Sequence, residues 1–153
     1  MITGFNHTSF TVSDIETAVR FWTEALGFEL ATLAERHGDW QGPVTGVAGA
    51  RLRVAHLFGH GHHMEFIQYL SSAGPERMLQ PNMAGVAHVC LEVDDIHETA
   101  RCLQRHGATP QGEMVYVDEG TAAGCWAGYI RDPNGIIIEL LQLSADGPSA
   151  GHE

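Results

Sequence analysis

Positive charge is scarce in this 153-residue sequence, where eight Lys and Arg residues stand against nineteen Asp and Glu, for a formal net charge of −11. Phosphate backbones and anionic bilayers are held by clustered cations, so this balance argues against nucleic acid or a membrane surface as a partner, while leaving room for a local anion site. Long apolar runs are also missing: no stretch is long enough to span a bilayer, and the first residues lack the charged-then-apolar design of a secretory signal. Cysteine is sparse and odd in number. Cys90, Cys102 and Cys125 form no CxxC pair, which suits reduced, structural thiols and excludes Cys-rich zinc; the expected location is cytoplasmic.

What the chain does have is internal repetition. At 44% hydrophobic residues it has the composition of one folded unit with a real core. Gly4–Ile15 (Gly-Phe-Asn-His-Thr-Ser-Phe-Thr-Val-Ser-Asp-Ile) and Gly85–Ile96 (Gly-Val-Ala-His-Val-Cys-Leu-Glu-Val-Asp-Asp-Ile) match at five positions with a constant offset of 81, as from His7 to His88. Both copies alternate like half-buried strands, and each histidine falls on the more polar face, leaving the other face to pack on a helix. The repeat is longer than a solenoid unit, so two βα-type modules are expected.

Ser13-Asp14-Ile15-Glu16 reads as a capping box with Ser13 at the cap, and Ile15, Ala18, Val19, Trp22, Ala25 and Leu26 recur at helical spacing up to Gly27. Trp22 and Phe21 are expected in the core. A strand is expected at Phe28–Leu33, a Gly-rich loop or ragged strand end over Arg36–Gly49, strands at Arg51–Phe58 and His63–Leu70, and a turn at Gly59-His60-Gly61-His62. After a connection through Gly74, Pro75 and Pro81 the plan repeats. It runs through a strand at Val86–Val93, a helix from Asp94 or Asp95 to Gly107, and strands at Glu113–Asp118 and Cys125–Arg131. A turn at Asp132-Pro133-Asn134-Gly135 leads to a last strand at Ile136–Leu143. The expected organisation is a single domain over 1–143, made of module 4–70, linker 71–85 and module 86–143, with a disordered Gly/Ser-rich tail at 144–153.

Glu139 lies inside Ile136-Ile137-Ile138-Glu139-Leu140-Leu141, where an ionised carboxylate is costly unless paired or bound to a metal. Glu65 holds the matching place, since each glutamate follows its hairpin glycine, Gly61 or Gly135, by four residues. Each module thus supplies one His on its first strand and one Glu on its last. His7, Glu65, His88 and Glu139 make a mixed N/O ligand set for a divalent Mn, Fe, Co, Ni or Zn, with two octahedral positions left for water or substrate oxygens. The further group His56, His60, His62 and His63 is expected to be a solvated turn. Trp126, Tyr129, Tyr116 and Trp40 are expected either in the core or lining a binding cup.

His7 with its Val-Ser-Asp-Ile helix start, the strand His88-Val-Cys-Leu-Glu-Val-Asp-Asp-Ile, and Asp-Pro-Asn-Gly followed by Ile-Glu-Leu-Leu together resemble the vicinal oxygen chelate superfamily over about Phe5–Leu143. That superfamily includes glyoxalase I, methylmalonyl-CoA epimerase, extradiol dioxygenases and fosfomycin-type resistance proteins. The resemblance implies an α+β fold of two tandem βαβββ modules forming a cupped mixed sheet around a metal site, and a homodimer. The His, Glu, His, Glu set looks like that of glyoxalase I, and the His88 strand is similar to that of the epimerase. The expected function is therefore a metal-dependent isomerase or lyase acting on a small molecule, with Glu65 or Glu139 carrying a proton α to a carbonyl. Two alternatives accompany it: an Fe(II) ring-cleavage dioxygenase, and a drug- or metabolite-binding protein.

Overall fold

The computed structural model describes residues 1–121 and 123–143, so the tail expected to be disordered lies outside the described residues. The chain is α+β and divides into two compact units, Met1–Met78 and Leu79–Glu153. The division falls within the stretch read as the connection between modules.

In the first unit, β1 (Thr8–Thr11) leads through α1 (Ile15–Glu24) to β2 (Glu29–Glu35), a short α2 (Gln41–Thr45), β3 (Arg51–Gly59) and β4 (His62–Ser71). The sheet order is β1-β4-β3-β2, with β1 parallel to β4 and the other pairs antiparallel. The expected capping box is displaced by one residue. Asp14, not Ser13, is the N-cap of α1 and accepts from the Thr17 amide at 3.1 Å; Glu16 is drawn away to an ion pair with Arg53. The apolar stripe of α1 buries Ile15, Ala18, Phe21 and Trp22 against the sheet, where Trp22 meets Phe28 and Phe66. Burying each such aromatic contributes on the order of 2–3 kcal/mol.

The opposite face of this sheet is graded. At one end Leu52 and Val54 pack with Ile67 and Tyr69 under Ala50 and Val47. At the other end stand His56, Phe58, His63 and Glu65. The Gly-rich segment, expected to be a loop or a ragged strand end, contains α2 and covers the apolar end. It is held there by Gln41, a buried side chain whose Oε1 accepts from the Leu52 amide at 2.7 Å. Its Nε2 donates to the Arg36 and Gly38 carbonyls.

The second unit repeats the plan with β5 (His88–Glu92), α3 (Ile96–Arg105), β6 (Thr109–Pro110), β7 (Val115–Val117), β8 (Cys125–Arg131) and β9 (Ile137–Leu143). Its sheet runs β5-β9-β8-β6, with β7 also on β8, and β5 is again parallel to the last strand. The single strand expected at Glu113–Asp118 is shorter and is preceded by β6. Asp95 caps α3 by accepting from the Glu98 amide at 2.8 Å. Ile96, Ala100 and Leu103 are buried, as are Ile130, Ile138 and Leu140 on the strands. No helix among the described residues is long and apolar enough to cross a membrane.

Candidate metal-binding half-sites

Strand register decides which side chains meet each glutamate. In the first unit, the two-residue turn at His60 and Gly61, both with positive φ, closes the β3–β4 hairpin and sets His56 directly opposite Glu65. The parallel pairing of β1 with β4 sets Ser9 beside Glu65, which brings His7, just before the strand, over the same carboxylate. His7 Nε2 stands 3.4 Å from Glu65 Oε1, and His56 Nε2 stands 3.7 Å from Oε2. His7 Nδ1 is 2.7 Å from Asn6 Oδ1. That contact calls for a proton on Nδ1 and leaves Nε2 as the ring nitrogen that faces the carboxylate. The Glu65 side chain is 14% exposed.

The second unit has the same construction. Cys90 pairs with Glu139 across β5–β9, and Tyr129 pairs with it across β8–β9. His88 Nε2 is 3.0 Å from Glu139 Oε2, and the His88 and Tyr129 rings lie 5.1 Å apart. Cys90 is exposed as a residue, yet desolvation of the thiol, followed by the charge and hydrogen bond of Glu139 and the charge of Glu92, pushes it up to about 11. The same carboxylate, after burial, raises the Tyr129 hydroxyl above the ordinary tyrosine value.

Two ligands bonded to one cation at about 2.1 Å stand about 3.0 Å apart at a right angle and about 3.4 Å apart at the tetrahedral angle. Both His–Glu pairs have that spacing, and imidazole with carboxylate suits a divalent transition metal. The residues present therefore fit such an ion. Among the described residues no group of three or more His, Cys, Asp or Glu is placed to hold a metal.

The structure gives His56 and His63 a different setting from the solvated turn expected of them. They lie on β3 and β4, with His56 Nδ1 3.0 Å from His63 Nε2, and His63 stacks on Phe58 at 4.2 Å. His60 and His62 are the exposed members, although His60 binds the Leu26 carbonyl and packs on Phe28. Counting residue pairs outward from the His60–Gly61 turn was the available signal for His56. Trp126 faces His97 of α3 and not the Glu139 face, so of the four aromatics named above only Tyr129 contacts a candidate ligand. Arg36 gave no sequence signal, because its side chain reaches His56 from beyond the end of β2.

Residues 4–140 match the model of the Glyoxalase/Bleomycin resistance protein/Dioxygenase superfamily. The chain belongs to that superfamily. Among its relatives in the superfamily, 2-epi-5-epi-valiolone epimerase of an Actinomyces species is 29% identical over 94% of this chain and 81% of its own length. Lactoylglutathione lyase of Pseudomonas putida is 26% identical over 90% and 84%. The crystal structure of a glyoxalase family protein from Bacillus cereus superposes with a TM-score of 0.80 at 28% identity, over 95% of this chain and 97% of that one. The named relatives are enzymes of this superfamily, and the fold is that of its glyoxalase members.

Proposed function

We propose that the protein is a divalent-metal-dependent isomerase or lyase that removes a proton α to the carbonyl of a small, oxygen-chelating substrate. In this reading His7, Glu65, His88 and Glu139 are the ligands of one Mn, Fe, Co, Ni or Zn ion, and the protein works as a homodimer. The observation that supports it is the repeated His–Glu pair, once per unit, each at the spacing of neighbouring ligands. Similarity to an epimerase along nearly the whole chain favours inversion at a carbon beside a carbonyl over ring cleavage.

The bound cation would supply Lewis-acid stabilisation of the negative charge that develops on the substrate carbonyl as the proton leaves. The chain's own residues do the rest. Asn6 holds His7 in the ligating tautomer. Glu65 and Glu139 are the groups that would take and return the proton at their carboxylate oxygens. Their surroundings differ: Glu65 faces a second imidazole, whereas Glu139 faces a thiol and a phenol.

The test is elemental analysis of protein purified without added metal or a nickel column, for wild type, His7→Ala and Glu65→Ala, followed by turnover in deuterated water. One metal per chain, lost in both variants, with deuterium entering the substrate α-carbon, is the expected result. No metal even after reconstitution, or turnover without deuterium, would sink the reading. Oxygen uptake with a diol would place the protein with the dioxygenases instead.

A further inference from the structure

The sequence contains no lysine, so its eight cations are all arginines. Most of them are committed within the fold. Arg51 pairs with Glu35, Arg53 with Glu16, and Arg101 and Arg105 with Glu98. Arg131 is buried and donates to Gln111 and to the carbonyls of Gly135 and Leu79. Arg36 is the exception at the candidate site. It is half-buried, and among the described residues no carboxylate lies within ion-pair distance of it and its side chain has a single partner, His56 Nε2 at 2.7 Å.

That contact has a defined direction. A guanidinium only donates, so His56 Nε2 must accept, His56 Nδ1 must carry the ring proton, and this proton points to His63 Nε2 at 3.0 Å. His56 is thereby a neutral prop for the guanidinium and not a cation competing with it. One N–H of Arg36 is used, and the remaining N–H groups have no protein acceptor among the described residues. The guanidinium is brought near Glu65 through His56, because the same Nε2 that accepts from Arg36 Nη2 at 2.7 Å lies 3.7 Å from Glu65 Oε2. Once Glu65 is committed to a metal, this half-buried cation has no counter-charge, and a planar fork of donors matches an oxyanion.

We infer that Arg36, propped by His56, is a specificity-determining residue that binds an anionic group, a carboxylate or phosphate, carried by the substrate a few bonds from its chelating oxygens. The inference rests on the metal-dependent reading above and adds to it a substrate class: a carbonyl compound with a second, negatively charged end. It also gives a role to a cation that no carboxylate among the described residues neutralises, despite the acidic balance of the whole.

Two probes with the same two-oxygen chelating head separate the ideas: acetohydroxamate, which has no charged tail, and succinohydroxamate, which adds a carboxylate. Isothermal titration of the metal-loaded protein is expected to show succinohydroxamate binding about tenfold more tightly in the wild type. Arg36→Leu is expected to abolish that preference while leaving acetohydroxamate affinity and metal content unchanged, which also certifies that the variant is folded. Arg36→Lys should keep only part of it, because an ammonium is a point charge without the fork. Equal affinity for the two probes in the wild type, or a preference that survives Arg36→Leu, overturns the role of Arg36 and leaves the metal site standing. Failure of both probes to bind overturns the metal-dependent reading and this inference with it.

Discussion

Replacing Gln41 by Leu tests how the Gly-rich segment is held over the apolar end of the first sheet. Gln41 is 4% exposed and its side chain makes three hydrogen bonds: 2.7 Å from the Leu52 amide, 2.9 Å to the Gly38 carbonyl and 3.2 Å to the Arg36 carbonyl. Leucine is of similar size and leaves little cavity, so the loss is chiefly one of hydrogen bonding. The Leu52 amide is buried and would be stranded, at a cost of about 1–3 kcal/mol, whereas the two carbonyls are only partly buried and recover water at about 0.5 kcal/mol each. The expected total is about 2–4 kcal/mol. With a urea m-value of about 2 kcal/mol/M, the unfolding midpoint should fall by about 1–2 M at unchanged m. Trypsin should also cut faster after Arg36, whose carbonyl is one of the groups released. Gln41→Glu keeps the acceptor for Leu52 but sets a charge against two carbonyls, so its deficit should shrink as acid protonates it. A Leu variant within 0.5 kcal/mol of wild type, with Arg36 equally protected, would refute the assignment of Gln41 as the tie that holds the segment.

Two further predictions follow from the second unit. In metal-free protein, a Cys90 thiol pushed up to about 11 carries roughly a hundredfold less thiolate at neutral pH than an ordinary thiol. Its alkylation by iodoacetamide, followed by peptide mass spectrometry, should therefore be correspondingly slow, rise with pH up to about 11, and speed up in Glu139→Gln, which removes a charge opposing the thiolate. Reaction at the rate of a free thiol would contradict this. Gly128→Ala places a methyl group 2.8 Å from the Glu113 carbonyl oxygen and still closer to the Met114 sulfur; it should cost about 1–3 kcal/mol in urea unfolding, and a neutral effect would show that β7 and its approach segment yield freely.

Much of the fold could be read from periodicity. The alternation in Gly4–Ile15 and Gly85–Ile96 and the helical spacing from Ile15 to Trp22 are local patterns imposed by which face of an element must leave water, and the elements formed where they occur. The Asp-Pro-Asn-Gly turn was equally legible, with Gly135 at φ 85° and its amide bonded to the Asp132 carbonyl. Boundaries were less so. Ser13 and Asp14 both have capping side chains, and only the backbone geometry of the chain entering α1 selected Asp14.

The sequence by itself determined the pairing of one His with one Glu in each module. The repeat offset puts His7 and His88 at equivalent places, and the distance from a hairpin glycine does the same for Glu65 and Glu139. Tertiary structure alone decided what surrounds those pairs. Register across β3 and β4 set His56 opposite Glu65 and His63 against His56, and the chain beyond β2 brought Arg36, twenty residues away in sequence, onto His56. It also put Trp126 on the helix side and Tyr129 on the Glu139 side of the same strand. The physical reason is one of range. Period and turn chemistry act between near neighbours and are written locally, whereas a long side chain finds its partner only after strands have paired and a loop has been tied down.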